Sequence, residues 1–261
     1  MRSLNTAATG MLAQQLNVEV ISNNIANLNT TGFKRQRAEF QDLLYQGQRR
    51  AGTAASDAGG TVPAGIQIGL GVKPTAVYRI HEQGSLLKTD NSLDLAIQGR
   101  GFFQITLPTG ETAYTRAGSL QLNNQGTIVT ADGFPVIGPG QIPQTATSIS
   151  VNQSGQVFVQ LPGQNTAQQV GQFTMATFVN EAGLLPIGNT SFMPTAASGD
   201  AVTGTAGTAG VGTLQQGFVE ASNVNAVNEV TSLITAQRAY EMNSKVIQAS
   251  DQMLNVVNQL R

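Results

Sequence analysis

The chain has no cysteine, no tryptophan and a single histidine, His81, in 261 residues. Without cysteine it draws nothing from disulfides and suits an oxidising or a reducing compartment alike. A zinc site or a thiolate nucleophile has nothing to be built from, so no metal and no cofactor is expected. A Ser-His-Asp triad would have to use His81, which sits between Tyr78 and Glu82 with no G-x-S-x-G stretch anywhere. His81 therefore reads as a surface or strand-edge histidine. Charge is scarce as well. Asp, Glu, Lys and Arg make up 11% of the chain, against about 25% in an ordinary domain. The net charge is -1, which excludes a global basic field for nucleic acid or an anionic membrane. No apolar run approaches the roughly 20 residues of a membrane span, so the chain is not expected to be membrane-spanning. The N-terminus lacks the apolar core of a secretory signal.

Other sources of chemistry are thin. Asp90 and Asp94 could form half of a glycosidase-like carboxylate pair, but Asp90 beside Asn91-Ser92 is explained by turn chemistry. Gly99-Arg100-Gly101 leads into Phe102-Phe103, a strand pattern, and not into the helix that a phosphate loop needs. Arg and aromatic residues mix between Phe33 and Tyr45, which can mark nucleic-acid binding. A short solvated segment with an apolar anchor is the better account of them.

What is present is concentrated at the two ends. Ala239, Met242, Val246, Ala249, Met253, Val256 and Leu260 recur at alternating spacings of four and three, the seam a partner helix requires. Tyr240, Ile247 and Leu254 form a second apolar row one position over. No Pro or Gly interrupts residues 222–261, and Ser222, Asn223 and Asn225 are suited to start a helix there, with Glu229 near its positive end. At the other end Leu4, Ala7, Met11, Gln14, Val18, Ile21, Ile25 and Leu28 repeat the spacing, and Leu12, Leu16 and Val20 give a second row. Gly32 is placed to end that helix in a left-handed conformation. Both helices carry more apolar surface than one pair hides. The rows fit an intramolecular antiparallel pair, or packing between copies of the chain, and the terminal helices are expected to be ordered only in such an assembly.

Between the ends the period changes. Residues 46–65 have almost no large apolar side chains and read as a long loop or arm. From about residue 66 apolar residues alternate. Leu93, Leu95 and Ile97 do so, as do Phe103, Ile105 and Leu107, and turn signals follow at 108–110, 123–126, 131–133 and 153–155. Residues 197–213 read as a second flexible stretch. The expected fold class is α+β, with long N- and C-terminal helices forming a coiled-coil-like core, an inserted all-β module and extended linkers. The expected divisions are an N-terminal helix (1–30), a connecting segment (31–75) with its arm at 46–65, an all-β outer domain (76–204), a return linker (205–221) and a C-terminal helix (222–261).

Three stretches carry a family resemblance. Residues 21–34, Ile-Ser-Asn-Asn-Ile-Ala-Asn-Leu-Asn-Thr-Thr-Gly-Phe-Lys, resemble the N-terminal signature of bacterial flagellar rod and hook axial proteins. Gly217 through Asn225, with Gln237-Arg-Ala-Tyr-Glu241, resembles their C-terminal signature. Residues 94–136, including Gly101-Phe-Phe103 and Tyr114-Thr-Arg-Ala-Gly118, are similar to their shared β module. The resemblance implies a structural, non-enzymatic subunit, exported through the flagellar type III apparatus without signal cleavage and polymerising helically. The chain has no room for the extra outer domain of hook proteins, and the insert at 46–65 is similar to one that marks the distal rod.

On that footing the chain is expected to build a rigid hollow shaft of the basal body, crossing the periplasm towards the outer membrane, that transmits torque and conducts exported proteins. The implied partners are other copies of itself, proximal rod and hook subunits and the surrounding ring proteins. The residues expected at the assembly interface are Leu4, Met11, Val18, Ile21, Ile25, Leu28, Arg49, Arg50, Ala239, Met242, Val246, Ala249, Met253, Val256 and Leu260. A proximal-rod or hook subunit is the near alternative. From other classes, a secreted β-rich adhesin or binding protein and a hydrolase using Asp and Glu compete with it.

Overall fold

Asn225 opens the longest element of the chain. Its side-chain Oδ1 accepts from the backbone N–H of Asn228 at 3.2 Å, and its carbonyl accepts from the N–H of Glu229 at 3.0 Å. This is an N-cap, satisfying donors that a helix start leaves free. The helix that follows runs without a break from Ala226 to Gln259, as the absence of Pro and Gly predicts. A computed structural model of the protein describes residues 2–49, 64–164 and 166–259. Arg50, Leu260 and most of the 46–65 arm lie outside the described residues.

The chain divides into two compact units, 1–25 with 36–78 and 225–261, and 26–35 with 79–224. The first holds helix α1 (Arg2–Ala26) and strands β1 (Gln36–Asp42), β2 (Tyr45–Arg49), β3 (Ile66–Gly69) and β4 (Val72–Arg79), and ends in helix α2 (Ala226–Gln259). β1 pairs with β4, and β2 with β3 in antiparallel register, Tyr45 opposite Gly69 and Gln46 opposite Ile68. Both ribbons are thin and carry exposed apolar side chains, among them Leu44, Tyr45, Ile66 and Ile68.

The second unit is almost wholly β. Its strands are β5 (Leu86–Lys88), β6 (Leu95–Gln98), β7 (Phe102–Thr106), β8 (Thr112–Thr115), β9 (Leu120–Leu122), β10 (Ile128–Thr130), β11 (Ser148–Val151), β12 (Gln156–Gln160), β13 (Gln168–Gln172), β14 (Thr174–Thr177), β15 (Leu185–Gly188), β16 (Ser191–Met193), β17 (Val202–Thr205), β18 (Thr213–Gln216) and β19 (Phe218–Glu220). Six of them form one sheet in the order β15-β16-β8-β7-β14-β17. The turn at 123–126 joins β9 to β10 with Ile128 opposite Leu122, and the turn at 153–155 joins β11 to β12, as their turn residues predict.

The expected alternation along the central strands gives way to burial on both faces. Leu95, Ala96 and Ile97 of β6 are all buried, as are Phe102, Phe103, Gln104 and Ile105 of β7. The physical reason is two cores. Phe103 and Ile105 join a large cluster with Leu95, Ile97, Phe173 and Leu214, whereas Phe102 packs with Tyr114, Phe178, Leu184 and Phe192. The stretch 197–213, read as flexible, contains β17 and the start of β18. β18 pairs with β6 and places Leu214 in the larger core. Small and polar residues hid it, because its order comes from the strand it joins and not from its own apolar content.

Candidate functional site

Within the first unit α1 and α2 meet in one antiparallel register. The hydroxyls of Ser3 and Ser250 lie 3.2 Å apart. A methyl group at Gly10 would come 2.9 Å from Nδ2 of Asn243. Asn24 Nδ2 donates to Glu229 Oε2 at 3.2 Å. Each step of seven or fourteen residues along α1 is matched by the same step back along α2. The residues that face inward mix small and polar side chains with Val20 and Ile21. Ala7, Ala13, Val20, Ile21 and Asn24 are buried on α1, and Glu229, Ala236 and Ser250 on α2. Asn24 is held from a second side, since its Oδ1 accepts from the backbone N–H of Gln36 at 2.8 Å and its Nδ2 donates to the Gln36 carbonyl at 2.9 Å.

This register sends the expected assembly row of α2 outward. Met242 and Met253 are each 61% exposed, Val246 45% and Val256 55%. Ala249 is exposed and Ala239 half-buried. Of the row one position over, Ile247 and Leu254 turn inward and are half-buried, whereas Tyr240 is 43% exposed. On α1, Ile21 is buried, Leu4, Met11, Val18 and Ile25 are half-buried, and Leu12 of the second row is the exposed residue at 65%. Leu28 lies beyond the end of α1 and is half-buried, and Arg49 is exposed at the end of β2. The α1 residues and the α2 row are thus separated by the structure into a shielded set and an exposed one.

The second unit contains a cluster that residue-level reading did not single out. Lys34, Arg116 and Glu220 are buried together, their side chains 1%, 4% and 1% exposed. Glu220 Oε1 accepts from Lys34 Nζ at 2.6 Å and from the backbone N–H of Gly84 at 2.9 Å, while Oε2 accepts from Arg116 Nε at 2.7 Å. One carboxylate therefore serves two cations. The remaining donors go to backbone carbonyls: Lys34 Nζ to Glu82, and the Arg116 guanidinium to Gly99, Gly101 and Ile97. Burial alone would raise the Glu220 pKa, but Arg116 and then Lys34 outweigh it and hold the group below the usual carboxylate range. Burial pulls Lys34 down, against the opposing pull of Glu220.

Backbone bonds continue the junction. The N–H of Gly32 donates to the carbonyl of Glu220 at 2.8 Å. Gly32 has φ +70, and an added Cβ would fall 2.7 Å from the backbone nitrogen of Ala117, so only glycine fits. It does not end α1 as expected; the helix stops at Ala26, and Gly32 permits a close crossing instead. Asn223, expected at the start of α2, accepts from the N–H of Arg35 at 2.7 Å and donates to the carbonyls of Ile80 and Glu82.

The other candidates resolve into structure. Arg116 takes the Gly99 and Gly101 carbonyls, so that turn faces a cation and not a phosphate. Asp94 accepts from Thr89 and Asn91. His81 is not at the surface but half-buried between the rings of Phe102 and Phe192, at 5.6 and 5.4 Å, and its Nδ1 has no partner. Desolvation, aided by Lys34, Arg79 and Arg116, lowers its pKa to about 4, so it is neutral at pH 7. Among the described residues no cluster of His, Asp and Glu could hold a metal, and no helix is long and apolar enough to cross a membrane. A signal for the buried cluster was present: in a chain so poor in charge, Lys34, Arg116 and Glu220 each stand inside one of the three resembling stretches.

Comparison with known proteins covers both ends and the middle. Residues 4–34 match the family model of the flagella basal body rod protein, residues 96–159 that of the flagellar hook protein FlgE/F/G D1 domain, and residues 215–260 that of the flagellar basal body rod FlgEFG protein C-terminal region. The flagellar basal-body rod protein FlgG of Caulobacter vibrioides is 61% identical over 100% of both chains. The FlgG of Agrobacterium fabrum is 51% identical over 99% of this chain and 98% of its own, and that of Bacillus subtilis 40% identical over 100% and 99%. With three family models matched along its length and full-length relatives well above a third identical, the chain belongs to the FlgE/F/G family of flagellar hook and basal-body rod proteins.

Proposed function

We propose that the chain is a structural subunit of the flagellar distal rod, which polymerises helically into a rigid hollow shaft that carries torque to the hook and passes exported proteins. It is not an enzyme. The observation that carries the reading is the exposed apolar row of α2. A stripe containing Met242, Val246, Met253 and Val256 at about half exposure or more is costly to leave in water, at roughly 25 cal/mol per Å² of apolar surface. The α1 contact uses the other side of α2, around Glu229, Ala236, Asn243 and Ser250, and leaves the row free for the helices of neighbouring copies. In the assembled shaft the helices make a coiled-coil-like inner core, and the β-rich unit lies outside.

The finer placements belong to the same proposal. Copies contact through the α2 row together with Leu4, Met11, Val18, Ile21 and Ile25 of α1 and with Leu28 beyond its end. The arm at 46–65, with Arg49 and Arg50, wedges between adjacent subunits and stiffens the shaft. Proximal rod, hook and ring proteins surround it in the periplasm, and export proceeds without a cleaved signal. The full-length relatives named as basal-body rod proteins support the rod over the hook alternative.

The variant Met253→Asp tests the reading. Met253 is 61% exposed in the single chain, so the monomer should melt as the native protein does. In an intersubunit seam the same carboxylate would be buried without a partner, at a cost of several kcal/mol. Sedimentation and negative-stain imaging at rising concentration should show rods for the native chain and none for the variant. Rods of normal stability from the variant would overturn the proposal.

A further inference from the structure

The structure assigns the segment 213–224 as the closing element of the β-rich unit: the unit does not reach a protected fold until this segment is in place. The inference is independent of the assembly reading. It starts from strand pairing. β6 lies deep in the larger core, with Leu95, Ala96 and Ile97 each 1% exposed, yet among the described residues its one ladder partner is β18, from Thr213↔Gln98 to Gln216↔Leu95, beside a single bond from the Leu95 N–H to the Gly118 carbonyl. Among the described residues β5 likewise has β19 as its only strand partner. Leu214 fills the same core as Leu95 and Ile97. More than a hundred residues of chain separate each of these strands from the one it pairs with, so loop closure opposes the pairing until it is complete.

Charge makes the dependence sharper. Before Glu220 arrives, Lys34 and Arg116 are two cations directed at one site with no counter-charge, and burying either of them alone is strongly unfavourable. The backbone N–H of Gly84 loses its acceptor, as does that of Gly32, which bonds to the Glu220 carbonyl. Asn223 is the acceptor for Arg35 and the donor to Ile80 and Glu82. A single short segment therefore completes the hydrogen bonding of residues 32–35, 80–84 and 95–98 together.

Pulsed hydrogen exchange on the full-length chain, refolding from denaturant, tests this directly. The amides of β6 and of residues 213–220 should gain protection in one kinetic phase. Protection of β6 and of β8, which leads into Arg116, in a phase that precedes residues 213–224 would overturn the inference. Full-length Glu220→Gln gives a second measurement on the folded state. Exchange should accelerate together at residues 82–84, 95–98 and 213–220, by about a hundredfold or to complete loss of the unit. Acceleration confined to residues 218–224, with β6 still protected, would equally overturn it.

Discussion

Gly10 of α1 faces Asn243 of α2 so closely that a methyl group in place of its hydrogen would stand 2.9 Å from the Asn243 amide nitrogen. The obstacle is the far end of a flexible side chain and not backbone. Gly10→Ala should therefore be nearly neutral, since the amide can turn aside and alanine favours a helix by about 1 kcal/mol over glycine. Gly10→Leu cannot be accommodated in that way and should part the two helices. Circular dichroism and exchange rates over α1 and α2 would separate the two variants; equal effects would show that the contact is loose.

Lys34 and Glu220 are both buried, but they are not equivalent. Glu220→Gln strands two cations and should cost about 3–5 kcal/mol. Lys34→Met leaves the pair of Arg116 and Glu220 intact, at 2.7 Å, and substitutes an apolar stem of similar length. Its cost should be clearly smaller. Thermal or urea unfolding of both variants checks the order, which a simple count of lost hydrogen bonds would not produce.

The pH dependence turns on His81. Its pKa in the folded chain is about 4, below the ordinary 6.5, because burial and three nearby cations disfavour the imidazolium. The unfolded chain therefore binds the proton first. The stabilisation is fully present above pH 6.5 and is lost as the pH falls towards 4, amounting to about 3 kcal/mol at most. Glu220, with its lowered pKa, adds a loss of the same sign at lower pH. His81→Leu should flatten the stability curve between pH 6.5 and 4 while leaving the carboxylate-linked loss. An unchanged slope in urea titrations across that window would refute the assignment.

The arm at 46–65 is expected to govern stiffness and not polymerisation. Deleting residues 47–62 should leave the helical rows able to assemble, but into curved or flexible filaments. Persistence length measured from electron images decides the matter; straight filaments of unchanged stiffness would make the segment a tolerated insertion.

Much of this architecture was readable because it rests on local signals. Asn225 caps α2 with an Asn side chain, and Gly126 and Gly155 sit in turns whose residues announce them. The heptad spacing also gave two long helices. Which row of α2 faces α1 was not readable, because Met253 and Leu254 satisfy the same periodicity one position apart. The choice is made by Ser250, Asn243 and Glu229, polar residues that an apolar pattern ignores. The buried cluster was harder still. Lys34 and Glu220 meet across 186 residues of chain, and nothing in either local stretch shows that a lysine will be dry. His81 was misjudged for the same reason: its aromatic neighbours Phe102 and Phe192 come from distant strands.

The seven-residue rhythm of the α1 and α2 contacts has a mechanical side. Because the contacts at Ser3 and Gly10 are made by small residues one heptad apart, the two helices could slide past each other by one repeat, about 10 Å at 1.5 Å per residue, and find a similar groove. What forbids it is the layer at the foot of the pair. Asn24 is bonded at once to Glu229 and to the backbone of Gln36, so it works as a detent, fixing which notch of a repeating rail the pair occupies.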